Sequence, residues 1–268
     1  MSRAMQIISA DERLREKRGA KILLLGPSGV GKTSQLHSLD PARTLFLDVE
    51  AGDLSVLDLP VPTIRIDDWP TARDLACRIG GPNKSFSATL CYSSAHYEHV
   101  GGAHPNFDQV DNLFVDSLTA ISRLSYRWAE AQPESYSERS GRKDIRGAYG
   151  LHGRELLLWL TELQHCRAMN VIFVGILERA VDEFNHGFWQ LQCEGQKVGR
   201  ELPAIIDQII TMQFLDFGDG KPPTRGFVCS SPNSWGFPAK DRSGRLDQIE
   251  PPDLGKLLIK LTSKGDAR

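Results

Sequence analysis

Gly26-Pro27-Ser28-Gly29-Val30-Gly31-Lys32-Thr33 sets a lysine and a threonine directly behind a glycine-rich octad, with Ser34 next in line. That spacing suits a loop that grips a triphosphate. Glycines let backbone amides turn inward around the β- and γ-phosphates, Lys32 reaches the terminal phosphates, and the Thr33 hydroxyl ligates magnesium. A helix beginning near Lys32 would add the positive end of its dipole. Such a cradle needs a second acid on the metal side, at the end of a neighbouring apolar strand. Asn112-Leu113-Phe114-Val115-Asp116 supplies one in Asp116. Hydrolysis asks for a further carboxylate that orients water for in-line attack. Thr44-Leu45-Phe46-Leu47-Asp48-Val49-Glu50 offers Asp48 and Glu50 on one side of an extended chain, and Glu50 is our choice of base. The expected cofactors are ATP and Mg²⁺.

The elements that must position these groups are visible as short apolar runs at 21–25, 44–49, 63–66, 112–116, 170–177 and 207–214. None alternates, so they read as strands buried on both faces of a parallel sheet. Residues 150–169 place Leu156, Leu157, Leu160 and Leu163 at helical spacing, as a crossover helix requires. Beyond residue 214 a Gly/Pro-rich turn between two apolar pieces predicts a C-terminal β-hairpin at the sheet's edge, and 251–261 a short closing helix. The fold class is therefore α/β, a mainly parallel β-sheet covered by helices on both faces. One domain is expected over 19–262, with an N-terminal extension at 1–18 and a flexible tail at 263–268.

Composition limits what else the chain can be. It has 268 residues, 40% hydrophobic and 25% charged, enough for one large core. No apolar run approaches a membrane span and the N-terminus is charged, which points to the cytoplasm. The five cysteines are scattered without a metal-ligand spacing and read as packed thiols. His96, His99 and His104 lack a supporting acid and read as surface or packing residues. A net charge of −2 means that any nucleic-acid surface must be local.

The order P-loop, FLDVE, FVDSLT, VIFVG resembles the core of the RecA superfamily, over roughly residues 20–215. The small size, the YSSAHY segment and the AKDRSGRL stretch are similar to phage-encoded RecA-like ATP-binding proteins, some of which act in single-strand annealing and recombination. The resemblance implies a RecA-like P-loop NTPase fold, Glu50 as catalytic glutamate and Ser117 beside the metal acid. RecA proteins carry a polar amide on the strand after Walker B. This chain has Gly175 and Ile176 there, so the nearest sensor candidates are Glu178 and Arg179. Family members complete the site with basic groups from a neighbouring subunit, for which Lys240 and Arg242 are the candidates, within a homo-oligomeric ring or filament.

The resemblance also implies that the loops after the fourth and fifth strands touch single-stranded DNA. The first, about 123–150, carries Arg127, Arg139, Arg142, Lys143 and Arg146 among Tyr126, Trp128, Tyr136 and Tyr149. The second, 178–203, carries Phe188, Trp189, Lys197 and Arg200. Basic groups track phosphates and aromatic faces stack on unpaired bases, although a solvated loop or a subunit contact would look the same. Location in a bacterial host follows if the chain is phage-encoded. Two rival readings stay open: a small-molecule kinase whose lid is the 139–146 stretch, and a nucleotide-dependent switch that recruits a protein partner.

Overall fold

A computed structural model of the protein describes residues 7–137, 139–218 and 220–263. In chain order the strands are β1 Lys21–Gly26, β2 Thr44–Asp48, β3 Thr63–Arg65, β4 Asn112–Asp116 and β5 Asn170–Val181. They continue with β6 Gly187–Leu191, β7 Gln208–Leu215, β8 Thr224–Val228, β9 Lys240–Asp241 and β10 Ile249–Glu250. The α-helices are α1 Ala10–Arg15, α2 Trp69–Gly80, α3 Ser94–His99, α4 Leu118–Glu130, α5 Ile145–Gln164, α6 Gln196–Ile205 and α7 Leu254–Thr262.

One sheet runs in the order β10-β8-β7-β1-β5-β4-β2-β3, with β6 paired to β5 and β9 to β7. The six strands from β7 to β3 along this path are parallel neighbours, whereas β8 and β10 add antiparallel at one edge. The central strands β1, β2 and β4 are buried at every residue. Their side chains alternate between two cores. Leu23 and Leu25 of β1 pack with Trp69, Trp159, Leu160 and Leu163 from α2 and α5. Ile22 and Leu24 pack with Val30, Leu36 and the α7 leucines on the opposite face. Burying each such leucine or isoleucine stabilises the fold by about 1.5–3 kcal/mol, so continuous apolar strands demand cover on both sides.

Several expectations are revised. The element after the glycine loop is a six-residue 3₁₀ helix, Thr33–Ser38, in place of a full α-helix. It ends where Leu39 turns extended, and the dipole contribution expected of it is correspondingly small. The supposed loop 123–150 is helical at both ends, over 123–130 and 145–150. Ser117 caps α4 and Asp144 caps α5, which leaves 131–144 as the connection and puts Arg127 and Arg146 on helices. The supposed loop 178–203 is a β5–β6 hairpin followed by α6, so Glu178 and Arg179 are strand residues and Lys197 and Arg200 helical ones. Within the extension, residues 10–15 form a helix closed by a capping box from Ser9 and Glu12, with no residue buried. Of the tail expected at 263–268, residues 264–268 lie outside the described residues, as do 1–6 of the N-terminal extension. Among the described residues no helix is long and apolar enough to cross a membrane.

Candidate functional site

β1 runs into the glycine loop, and β4 and β2 end beside it. The register sets Asp116 opposite Asp48, and Gly26 opposite Ile176 of β5. Parallel neighbours end at one edge of the sheet, so the carboxylates of two strands and the loop of a third meet there. The Val49 amide donates to the Asp116 carbonyl at 2.8 Å, which ties the β2 exit to the β4 end.

The loop itself needs glycine at defined points. Gly31 has φ +99°, a conformation that side-chain-bearing residues rarely adopt. A Cβ on Gly26 would stand 2.7 Å from the Met212 carbonyl oxygen. The amides of Gly29, Gly31 and Lys32 donate to no other described residue. Lys32 folds back, its Nζ donating to the carbonyls of Gly26 at 2.9 Å and Pro27 at 2.8 Å. It is 8% exposed. Burial lowers its pKa, and the charges of Asp116 and Glu50 act against that shift.

The Thr33 hydroxyl donates to Asp116 Oδ2 at 2.5 Å. Asp116 is 7% exposed, and its carboxyl is pushed up to about 6. Burial is the main cause. The Thr33 hydrogen bond and Lys32 oppose it, while the negative charges of Glu50 and Asp48 add to it. Ser117 caps α4 by accepting from the Ala120 amide at 3.1 Å, and its hydroxyl also donates to Glu50 Oε1. The peptide joining Asp116 to Ser117 is cis. β2 has already ended at Asp48, and Glu50 is an exposed residue whose carboxylate is held inward by Ser117.

Lys32, Thr33, Asp116, Ser117 and Glu50 thus form one hydrogen-bonded or charge-coupled cluster at the loop. The other candidates sit elsewhere. Glu178 accepts from Gln190 at 2.9 Å and Arg179 lies over Gly187, both on the β5–β6 hairpin. Lys240 donates to the carbonyls of Pro203 and Ile206, and Arg242 to Asp207 and to the Ala204 carbonyl. Both lie near the start of β7, at the sheet end away from their own glycine loop.

Arg127, Arg139, Arg142, Lys143, Arg146 and Arg200 are exposed and carry no ion pair with a described residue. Lys197 faces Glu201 at 4.0 Å. Tyr126 of α4 stacks on Tyr149 of α5, with ring centres 4.5 Å apart. His96 is bonded to Asp74 and to the Tyr92 amide.

One residue beside the loop has no local signal in the sequence. Arg225 of β8 lies with a guanidinium nitrogen 2.7 Å from where a Gly31 Cβ would be, and donates to the Val30 carbonyl at 3.5 Å. Only the β7–β8 register carries it there.

The strand order, with the glycine-loop strand between β5 and β7 and Asp116 at the end of β4 one strand further on, defines a RecA-like P-loop NTPase fold. A family described as an AAA domain matches residues 18–243, and the chain belongs to that family. No curated protein matches it. Among solved structures, it is similar to a KaiC-like protein from Pyrococcus horikoshii OT3, at 13% identity over 79% of this chain and 78% of that one, with a TM-score of 0.35. A RadB recombinase aligns at 16% identity over 79% and 81%, with a TM-score of 0.38. The flagellar accessory protein FlaH from Methanocaldococcus jannaschii aligns at 11% identity over 84% of both chains, with a TM-score of 0.35.

Proposed function

We propose that the protein is a magnesium-dependent ATPase whose subunits assemble into a ring or filament and act on single-stranded DNA, in recombination, annealing or replication. The observation that carries the chemistry is the cluster around Asp116. A buried carboxylate is costly without compensation, and here two further acids crowd it while one lysine opposes them. The donor types suit a magnesium ion, since the Thr33 hydroxyl and the Asp116 carboxylate are hard oxygens side by side at the loop and magnesium prefers such donors and keeps several waters. When bound, that ion would neutralise phosphate charge. Lys32 leaves the Gly26 and Pro27 carbonyls for the terminal phosphates, and the amides of Gly29, Gly31 and Lys32, which donate to no described residue, donate to the phosphate oxygens. Glu50, steered by Ser117, accepts a proton from the attacking water.

Assembly is supported by Lys240 and Arg242, which cannot serve their own loop and would reach a neighbour's γ-phosphate, where an arginine stabilises developing charge. DNA is supported by arginines that are exposed and make no ion pair with a described residue, Arg127 and Arg146 among them on α4 and α5, the helices that carry the Tyr126–Tyr149 stack. The test is ATPase activity with and without single-stranded DNA over a range of protein concentrations. Specific activity should rise with concentration and with DNA, and DNA affinity should fall steeply with salt. Activity that is independent of concentration and needs a small acceptor would favour a kinase instead.

A further inference from the structure

The P-loop accounts for the phosphates but not for the rest of a nucleotide. The parity of β7 sets which of its side chains lie on the face of the sheet that carries the loop. Ile210 and Met212 of β7 belong to the core that holds Val30 and Leu36, so they point to the P-loop face of the sheet, and Phe214 shares their parity. Ile209 and Leu215 belong to the opposite core. Leu25 pairs with Thr211, so Phe214 lies three residues past the end of that pairing, about 10 Å further along the strand at about 3.3 Å per residue. It is 54% exposed there, a bare aromatic ring level with the loop and beyond the core.

Directly opposite Phe214 across the β7–β8 ladder is Arg225. Cross-strand partners share a face, and Arg225 reaches Gly31. Among the described residues its guanidinium makes one hydrogen bond, the 3.5 Å contact to the Val30 carbonyl, and has no carboxylate partner. A guanidinium without an acid, beside the amides that would hold phosphate, is poised for an anion.

We propose that Phe214 and Arg225 form the second half of the nucleotide site, with the Phe214 ring stacking on the nucleobase and Arg225 pairing with the phosphate chain. The proposal rests on the nucleotide reading of the P-loop and extends it to base recognition. A phenyl face offers no hydrogen bond to a base edge, so the pocket takes purines by stacking and separates adenine from guanine weakly.

The experiment compares magnesium-ATP with magnesium-tripolyphosphate, which has the phosphates without the base, by calorimetry on the full chain. Phe214→Ala should weaken ATP about tenfold and leave tripolyphosphate unchanged, and Phe214→Trp should keep ATP binding, because a stacked base depends on the ring alone. Arg225→Ala should weaken both ligands about tenfold, as loss of a charge-assisted contact to phosphate does. If Phe214→Ala affects both ligands equally or neither, or if Arg225→Ala changes neither, the proposal is wrong. Binding of ATP by the wild type and its loss in Lys32→Ala test the P-loop reading separately, so the pair can fail while the loop stands. Both positions are exposed, and melting temperatures close to wild type would separate lost binding from lost fold.

Discussion

Asp116 is held at a cost, and that cost can be measured. In the nucleotide-free protein its carboxyl is raised from 3.8 to about 6, chiefly by burial, with Glu50 and Asp48 adding to the effect and the hydrogen bond of Thr33 and the charge of Lys32 already counted against it. At about 1.36 kcal/mol per pKa unit, that gap amounts to about 3 kcal/mol against the ionised form. The sign follows from linkage. Below 3.8 both folded and unfolded chains carry the neutral acid, and no penalty exists. As pH rises from 3.8 through about 6 the unfolded chain gives up its proton first, stability falls, and above about 6 the full penalty persists. Asp116→Asn is neutral throughout. In EDTA and without nucleotide, it should match wild type near pH 4 and exceed it by about 3 kcal/mol at pH 8, a rise in Tm of about 5–10 °C for a chain of this size. The assay is thermal and urea unfolding of both proteins from pH 4 to pH 8. A variant no more stable than wild type at pH 8, or more stable by the same amount at every pH, would refute the argument that Asp116 is an uncompensated buried acid.

The remaining predictions concern chemistry, assembly and a second acid. Glu50→Gln should lower turnover by about 10²–10⁴ while leaving the Kd for magnesium-ATP within about threefold, read by steady-state ATPase assay and calorimetry. Arg242→Ala should reduce turnover by about 10³ or more with ATP affinity kept, as removal of an arginine acting on a neighbour's phosphate does; unchanged turnover would leave Arg242 as a tie between its loop and Asp207. Glu162 of α5 is raised to about 7 by burial, with His165 opposing, so its ionised form is disfavoured in the fold. Its folded value lies above the ordinary 4.5, so stability falls as pH climbs from 4.5 through about 7. Glu162→Gln should therefore be neutral at pH 4.5 and stabilising by about 1 kcal/mol at pH 8.5 in urea unfolding, a value reduced for its partial exposure.

The parts of this molecule that were legible in the sequence are those where one residue type answers one constraint. The run 112–116 is apolar at every inner position because β4 is covered on both faces, and β4 occupies those residues. The glycine loop is legible because backbone approach and positive φ admit few substitutes. Glu50 is marked by its place at the end of the second apolar run and Ser117 by the family resemblance, and the chain brings them into contact. What stayed hidden depends on pairing between distant segments. The β5–β6 hairpin runs through mixed residues such as half-buried Glu178 and exposed Arg179 and Gln190, whose pattern fits a loop as well as a strand. Arg127 and Arg146 lie on helices whose N-caps, Ser117 and Asp144, are polar residues as common in loops as at helix starts. Phe214 and Arg225 become neighbours only through the β7–β8 register, across a turn that carries no trace of the loop it serves.

A loop that grips the tail of a nucleoside triphosphate through its amides and Lys32 must lose its ligand when that lysine is removed. Isothermal titration of magnesium-ATP into the wild type and into Lys32→Ala reads this without any other step. The wild type should bind at one site and the variant should show a large loss of affinity. Absence of heat in the wild type, or the same isotherm from both proteins, would contradict it.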